Sequence, residues 1–149
     1  MLDKIKRFFE YDNWALTQEF AALENANNQT ALEMLAHILA AKEIWLARLN
    51  GKDSSSINTH PKLSLDECRA LATELNDGYR KFLCSLNKAD LETTITYKNT
   101  KGDEFTTPIG EILTHVAFHS AYHRGQIALL LRQADDPAIN TDFITFTRL

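Results

Sequence analysis

The sequence predicts an all-α protein built as a four-helix bundle, and three observations lead to that fold class. Apolar residues recur at steps of three and four through four long stretches of the chain, which is typical of amphipathic helices. The chain contains only 5 glycines and 3 prolines in 149 residues, where average usage would give about 18 in total. Turns are therefore few, which disfavours a sandwich or barrel of many short strands. The length and the 44% content of hydrophobic residues predict a single domain over residues 1–149.

Polar segments separate the first two predicted helices. The first helix is predicted from Leu2–Leu23, and a polar break follows it. The second helix is predicted to begin at Thr30, because Thr30 and Glu33 have the spacing of a capping box. It extends to about Asn50, where Gly51 is well suited to end a helix.

A long polar connection precedes the third predicted helix. Segment 52–63 exceeds the 2–8 residues that commonly join neighbouring helices of a bundle, so we expect a crossover along the bundle. Ser64 and Glu67 form a second capping box, which opens a third helix that runs to about Leu86.

The segment Leu91–Phe105 has a different character from the helices. Thr93–Tyr97 alternates β-favouring residues and a turn sequence follows, which predicts a short hairpin or extended loop. Pro108 is predicted at the first position of the fourth helix, which runs to about Gln133. We expect the tail, residues 135–149, to fold back onto the bundle.

Charge and hydropathy exclude several classes of function. The net charge of −4 provides no basic stripe, so we expect no nucleic-acid partner. The longest wholly aliphatic run, Ile127–Leu131, is far shorter than a membrane span, and the N-terminus lacks the apolar core of a signal peptide. We therefore expect no membrane association and a cytoplasmic location. In that reducing compartment Cys68 and Cys84 are expected to be free, half-buried thiols.

Histidines carry the strongest chemical signal. His115, His119 and His123 recur at steps of four in the predicted fourth helix, so each lies about one turn beyond the last, on or near the core-facing stripe. Two imidazoles with this spacing can chelate one metal ion. The three cannot share one ion, because the first and last are about 12 Å apart along the axis. Spacing alone allows either 115 with 119, or 119 with 123.

A further ligand must come from another helix, and His37 is the obvious candidate. It lies in an apolar run of the second helix, where an imidazole needs hydrogen-bond partners or a metal ion. His60 lies in the polar connection and is expected to be solvated. A three-histidine site leaves coordination positions open, as in catalytic zinc sites. The competing interpretation is a set of hydrogen-bonded histidines without a metal.

Other residues of the fourth helix have weaker interpretations. Arg124 could reach an anionic substrate, although solvation or pairing with a carboxylate is the commoner role. Gly125 in mid-helix is interpreted as a point of close helix contact. Gln126 is predicted to hydrogen-bond a ligand histidine or to bridge two helices.

The first two predicted helices carry polar and aromatic residues that are weaker candidates for a site. Asn13 is a candidate hydrogen-bond partner for a ligand. Asp12 and Glu33 are candidate carboxylate ligands or bases, although solvated helix faces are the stronger interpretation for both. Trp14 is predicted to lie in the core.

Several segments together match the pattern of a known family. They are Tyr11–Ala15, His37, Gly102, Phe105, Pro108, His115, His119–Gln126, Arg132, Pro137 and Asp142–Ile144. On these segments nearly the whole chain resembles the DinB (damage-inducible) family, also called DinB/YfiT-like. The most specific element is the run His-x-x-x-His-Arg-Gly-Gln.

The resemblance implies a fold, a metal site and possible partners. It implies a four-helix bundle of up-down-down-up order and a divalent metal ion, nickel or zinc, held by His37, His119 and His123. By the same resemblance His115 becomes a packing histidine or one that contacts a ligand. The resemblance also implies a homodimer, and some relatives in the wider superfamily are metal-dependent enzymes of low-molecular-weight thiols.

Two functions follow as hypotheses. The first is a metal-dependent thiol S-transferase, in which the ion lowers the pKa of a bound thiol so that the thiol attacks an electrophilic small molecule. The sequence identifies no general base for this reaction. The second is a metal-binding bundle without catalytic activity, acting as a sensing or interaction protein in a stress response.

Overall fold

A computed structural model describes residues 1–137 and 139–149. It is mostly helical, with one small two-stranded sheet, which confirms the predicted helical character and the hairpin. In chain order the elements are α1 (Leu2–Asn25), α2 (Gln29–Leu49), α3 (Leu65–Ser85), a 3₁₀ turn (Ala89–Glu92), β1 (Thr94–Lys98), β2 (Glu104–Pro108), α4 (Ile109–Gln133) and the short α5 (Phe143–Phe146).

Side-chain caps define the starts of α2 and α3. The capping box at Ser64 is confirmed, since the Ser64 hydroxyl accepts from Glu67 N at 3.2 Å and the Glu67 carboxylate accepts from Ser64 N at 2.7 Å. The box predicted at Thr30 is wrong. Asn28 caps α2 instead, through a bond from Ala31 N to its side-chain oxygen at 3.1 Å. An asparagine two residues upstream satisfies the same free N–H groups, so the helix begins earlier.

The hairpin leads directly into α4. β1 and β2 pair antiparallel, from Thr94 opposite Pro108 to Lys98 opposite Glu104. Gly102 lies in the turn with φ of +90°, a conformation that favours glycine. Pro108 is therefore the last residue of β2 and the N-cap of α4. It was predicted to be the first residue of that helix, which begins instead at Ile109.

Each of the four long helices packs against two of the others. α4 packs against α1 and α2, and α3 packs against the same two helices. The interior contains two hydrophobic clusters. The first includes Leu35, Leu39, Cys68, Leu75, Ile127 and Leu131, and the second includes Ile5, Phe9, Tyr79, Ile112, Leu113 and Val116.

The tail folds back onto α1, as predicted. The Tyr11 hydroxyl donates to the carbonyl oxygen of Thr141 at 2.6 Å, and the Tyr11 ring lies 5.2 Å from that of Phe143. Trp14 is half-buried beside Phe146 rather than in the core, because the tail covers one side of it.

Both cysteines are free, as predicted, but neither is half-buried. Cys68 is fully buried, whereas Cys84 is exposed near the end of α3. Among the described residues, no helix is both long and apolar enough to cross a membrane.

Candidate metal centre

Three histidines from α2 and α4 converge between these two helices. One ring nitrogen from each of His37, His119 and His123 lies within 4.8 Å of the others, and all three side chains are half-buried. The ring centroid of His37 lies 4.8 Å from that of His123 and 5.5 Å from that of His119. The structure thus brings together the three residues predicted as ligands, on the pairing of 119 with 123.

The spacing of the nitrogens suits a single ion. The Nε2 atoms of His119 and His123 lie 3.1 Å apart. Two nitrogens that bind one tetrahedral zinc ion at about 2.0–2.1 Å are separated by about 3.3 Å. The separation of these two nitrogens is therefore close to that of two ligands of one zinc ion.

Hydrogen bonds fix the tautomers of two of the rings. His37 Nδ1 lies 2.7 Å from the carbonyl oxygen of Thr59, and His123 Nδ1 lies 2.6 Å from Gln126 Oε1. Both oxygens can only accept, so each Nδ1 carries the proton. In the tautomer that these bonds select, Nε2 is the nitrogen with the lone pair, which is the form a metal ligand needs.

The local electrostatics also favour neutral imidazoles. Burial, together with the charges of the neighbouring His123, His115 and His37, lowers the pKa of His119 to about 4. Burial lowers the pKa of His115 as well. His119 is therefore neutral at pH 7, with a lone pair on one of its two ring nitrogens.

Two more histidines flank the cluster without joining it. His115 is exposed, contrary to the predicted core-facing stripe, because the line of histidines on α4 faces α2 rather than the interior. Its ring contacts Trp45 at 5.3 Å and His119 at 5.5 Å. His60 is exposed as predicted, and its ring stacks on that of His37 at 4.3 Å.

A buried ionic network involves the same two helices and corrects the interpretation of Asp12. Asp12 is 2% exposed and accepts hydrogen bonds from Lys42 Nζ and Arg124 Nη1. Burial alone would raise the pKa of Asp12, but the two cations hold it below its usual value. The expected solvated face is wrong, whereas the expected pairing of Arg124 with a carboxylate is confirmed. The network ties α1 to α2 and α4, the helices that carry the histidines.

A second buried carboxyl group accompanies this network. Glu19 on α1 is fully buried, and neither of its oxygens has a hydrogen-bond partner among the described residues. Burial raises its pKa to about 8, although the charge of Arg124 acts in the opposite direction. Glu19 is therefore mostly protonated and neutral at pH 7.

The positions of the other residues that the sequence suggested for the site confirm some of those predictions and contradict others. Gln126 bonds a histidine of the cluster, as predicted. Glu33 is exposed and accepts from Gln29, which agrees with a solvated face. The prediction that Asn13 hydrogen-bonds a ligand histidine is wrong, because Asn13 is exposed to solvent on α1. The prediction that Gly125 marks a close contact between helices is also wrong, because a Cβ added there would meet no neighbouring atom within 4 Å.

Some residues of the site were missed by sequence reasoning. The backbone carbonyl of Thr59 orients His37, and no side-chain pattern could have indicated it. Asp12, Glu19 and Lys42 did carry a signal, because each lies in register with the apolar positions of its helix. Charged residues on an apolar stripe should have predicted a buried network.

The protein is thus a helical protein whose three-histidine cluster, between α2 and α4, could hold a metal ion. The sequence matches the DinB family over residues 1–149, and the chain belongs to that family. It is similar to Protein DinB of Bacillus subtilis (strain 168), with 27% identity, covering 96% of this chain and 93% of that protein. Its fold is similar to the crystal structure of a DinB-like protein from Bacillus cereus ATCC 10987. That comparison has a TM-score of 0.56 and 22% identity, and it covers 93% of each chain.

Proposed function

We propose that the protein binds one divalent metal ion, nickel or zinc, through Nε2 of His37, His119 and His123. The observation that carries the proposal is the hydrogen bonding of the outer ring nitrogens. Both Nδ1–H groups that donate to Thr59 and Gln126 leave the inner nitrogens free to bind. Three nitrogen ligands from two tightly packed helices fit either metal and leave positions open for a substrate.

Calorimetric titration of untagged protein with Ni²⁺ or Zn²⁺ tests this proposal. We expect about one ion per chain, and His119→Ala should abolish the binding because it removes one of only three ligands. His115→Ala is a matched control, since His115 lies one turn earlier on the same helix and outside the cluster. Equal loss of binding in both variants, or no binding by the unmodified protein, would contradict the assignment.

The proposed reaction is transfer of an electrophilic group to a low-molecular-weight thiol. When bound, the metal ion would supply Lewis acidity, which lowers the pKa of a thiol toward neutrality. The sulfur then forms a bond to the electrophilic carbon, whose leaving group departs with the bonding electrons, while the thiol proton passes to solvent. The three histidines would hold the ion, and the buried network would hold α2 and α4 at a fixed separation.

A panel of cellular thiols tested with one reactive electrophile would examine this activity. We expect conjugation by metal-loaded protein and loss of conjugation in His119→Ala assayed at the same total metal, because free metal can catalyse such reactions. If metal raises the melting temperature but no thiol is consumed, the non-catalytic metal-binding alternative takes its place.

We also propose an up-down-down-up order for the four long helices and a cytoplasmic location. The order is supported by the long connection between α2 and α3 and by the packing of α3 and α4 against the same two helices. The location is supported by the free thiols of Cys68 and Cys84, which a reducing compartment would maintain.

A further inference from the structure

A cleft of about 600 Å³ lies between the C-terminal part of α2, the connection that follows it and the hairpin. This volume is typical of sites that bind small molecules. The polar side chains that line the cleft include Arg48, Lys52, Ser54, Thr96, Lys98 and Asn99. None of the three histidines of the cluster lines it, so the cleft is separate from the candidate metal centre.

Arg48 is held in one orientation at the wall of the cleft. Its Nε donates to the Ser54 hydroxyl at 3.1 Å, and its Nη2 donates to the carbonyl oxygen of Lys98 at 2.9 Å. The guanidinium carbon also lies 4.7 Å from the ring centroid of Trp45 and 4.8 Å from that of Tyr97. A ligand that binds Arg48 would therefore lose little affinity to the ordering of this side chain.

The charge of Arg48 has no carboxylate partner within the chain. No acidic side chain forms an ion pair with it in residues 1–137 and 139–149. Both oxygens that accept its hydrogen bonds are neutral, and these bonds use two of its five N–H groups. The side chain is half-buried, and burial lowers its pKa from the usual value. A fixed and partly desolvated cation with free donors is well suited to bind an anion.

The other charged side chains leave the cleft with a positive balance. Lys52 and Lys98 also line it, together with two acids, Asp53 and Glu104. The Asp53 carboxylate is engaged within its own turn, since it accepts from Ser55 N at 2.9 Å and from Ser55 Oγ at 2.7 Å. Glu104 lies opposite Lys98 in the hairpin. The cleft therefore attracts anions, although the whole protein has a net charge of −4.

We propose that this cleft binds a small organic carboxylate that also carries hydroxyl groups, and that Arg48 anchors the carboxylate. The planar guanidinium can donate two parallel hydrogen bonds to the two oxygens of a carboxylate. The Ser54 hydroxyl accepts from Arg48, so its own proton is free to donate to the same group. The side chains of Thr96, Asn99 and Thr100 supply further hydrogen-bonding groups for the hydroxyls of the ligand. A sugar acid combines these properties.

Nuclear magnetic resonance titration of the full isotope-labelled chain, without metal, tests the proposal with gluconate as the probe. Gluconamide is the matched neutral ligand, because it replaces only the carboxylate by an uncharged amide. We expect gluconate to shift the backbone amide signals of Arg48, Ser54 and Asn99 and the indole N–H signal of Trp45. Gluconamide should bind at least about tenfold more weakly, because it lacks the charge.

Two variants identify the charges that bind the probe. Arg48→Gln should weaken gluconate binding about tenfold or more and remove the preference for gluconate over gluconamide. Lys52→Glu reverses an exposed charge at the cleft and leaves the bonds of Arg48 intact, so it should weaken gluconate binding about threefold without changing the melting temperature. Lys62→Glu, on the same connection but outside the cleft, is the matched control and should bind gluconate as the unmodified protein does.

Absence of gluconate binding, equal binding of gluconate and gluconamide, or an undiminished preference for gluconate in Arg48→Gln would overturn the proposal. If Arg48→Gln lowers the melting temperature but keeps that preference, then Arg48 serves only to attach the hairpin to α2. Equal binding of inorganic phosphate would overturn the choice of a carboxylate. Because no metal is present, these results do not depend on the histidine cluster, and failure here is distinct from failure of the metal site.

Discussion

Glu19 should make the stability of this protein decrease as the pH rises toward 8. Its carboxyl group is fully buried on α1, and burial raises its pKa from 4.5 to about 8. A carboxyl group whose pKa is raised by folding stabilises the folded state fully below pH 4.5, and that contribution is lost as the pH rises through the folded value. Each tenfold change in proton affinity is worth about 1.4 kcal/mol. The full effect is therefore on the order of 5 kcal/mol between these pH values.

Glu19→Gln tests this reasoning, because glutamine resembles the protonated carboxyl group in shape and cannot ionise. We expect the variant and the unmodified protein to have similar free energies of unfolding near pH 4.5. The variant should become progressively more stable than the unmodified protein up to about pH 8, and the difference should then level off. All other ionisable groups are the same in the two proteins, so only the difference between the two is informative.

Urea denaturation followed by circular dichroism at a series of pH values measures this difference. Glu33→Gln is the matched control, because Glu33 is an exposed glutamate of α2 and should give a small difference that does not vary with pH. If the difference for Glu19→Gln is equally independent of pH, then Glu19 is ionised in the folded protein and the argument from burial is wrong.

Three other changes have expected outcomes that can be measured directly. Asp12→Asn leaves the charges of Lys42 and Arg124 buried without a counterion and should reduce the free energy of unfolding by about 3–5 kcal/mol in urea denaturation. Retention of full stability would show that water reaches the two cations. Gln126→Ala removes the acceptor of a histidine Nδ1–H and should weaken Zn²⁺ or Ni²⁺ binding about 10–100-fold by calorimetry; unchanged affinity would mean that the bond does not orient the ring. Ser64→Ala removes the cap of α3 and should cost about 1 kcal/mol of thermal stability, and no loss would contradict the capping geometry.

The sequence was sufficient for the helices and for most of the histidine cluster. Periodicity located four long helices, and the alternating residues at Thr93–Tyr97 located the hairpin. An imidazole at position 37 in an apolar run, together with two at a spacing of four, pointed to convergence. Spacing on one helix could not choose between the two histidine pairs, because that choice depends on where α2 lies against α4.

Tertiary packing decided the features that local pattern missed. Asp12 looked like an ordinary charged surface residue until Lys42 and Arg124, distant in sequence, were placed beside it. The helix α2 begins at Gln29 rather than at the predicted Thr30, because Asn28 is its N-cap. Gly125 looked like a packing glycine because sequence alone does not show which face of α4 is outside.

The most direct measurement of the central claim is a crystal structure of the protein grown with Zn²⁺, with anomalous data collected at the zinc absorption edge. The account predicts one strong peak about 2.0–2.1 Å from Nε2 of His37, His119 and His123. A peak held by Nδ1 atoms, by His60 or His115, or no peak between α2 and α4 would contradict it.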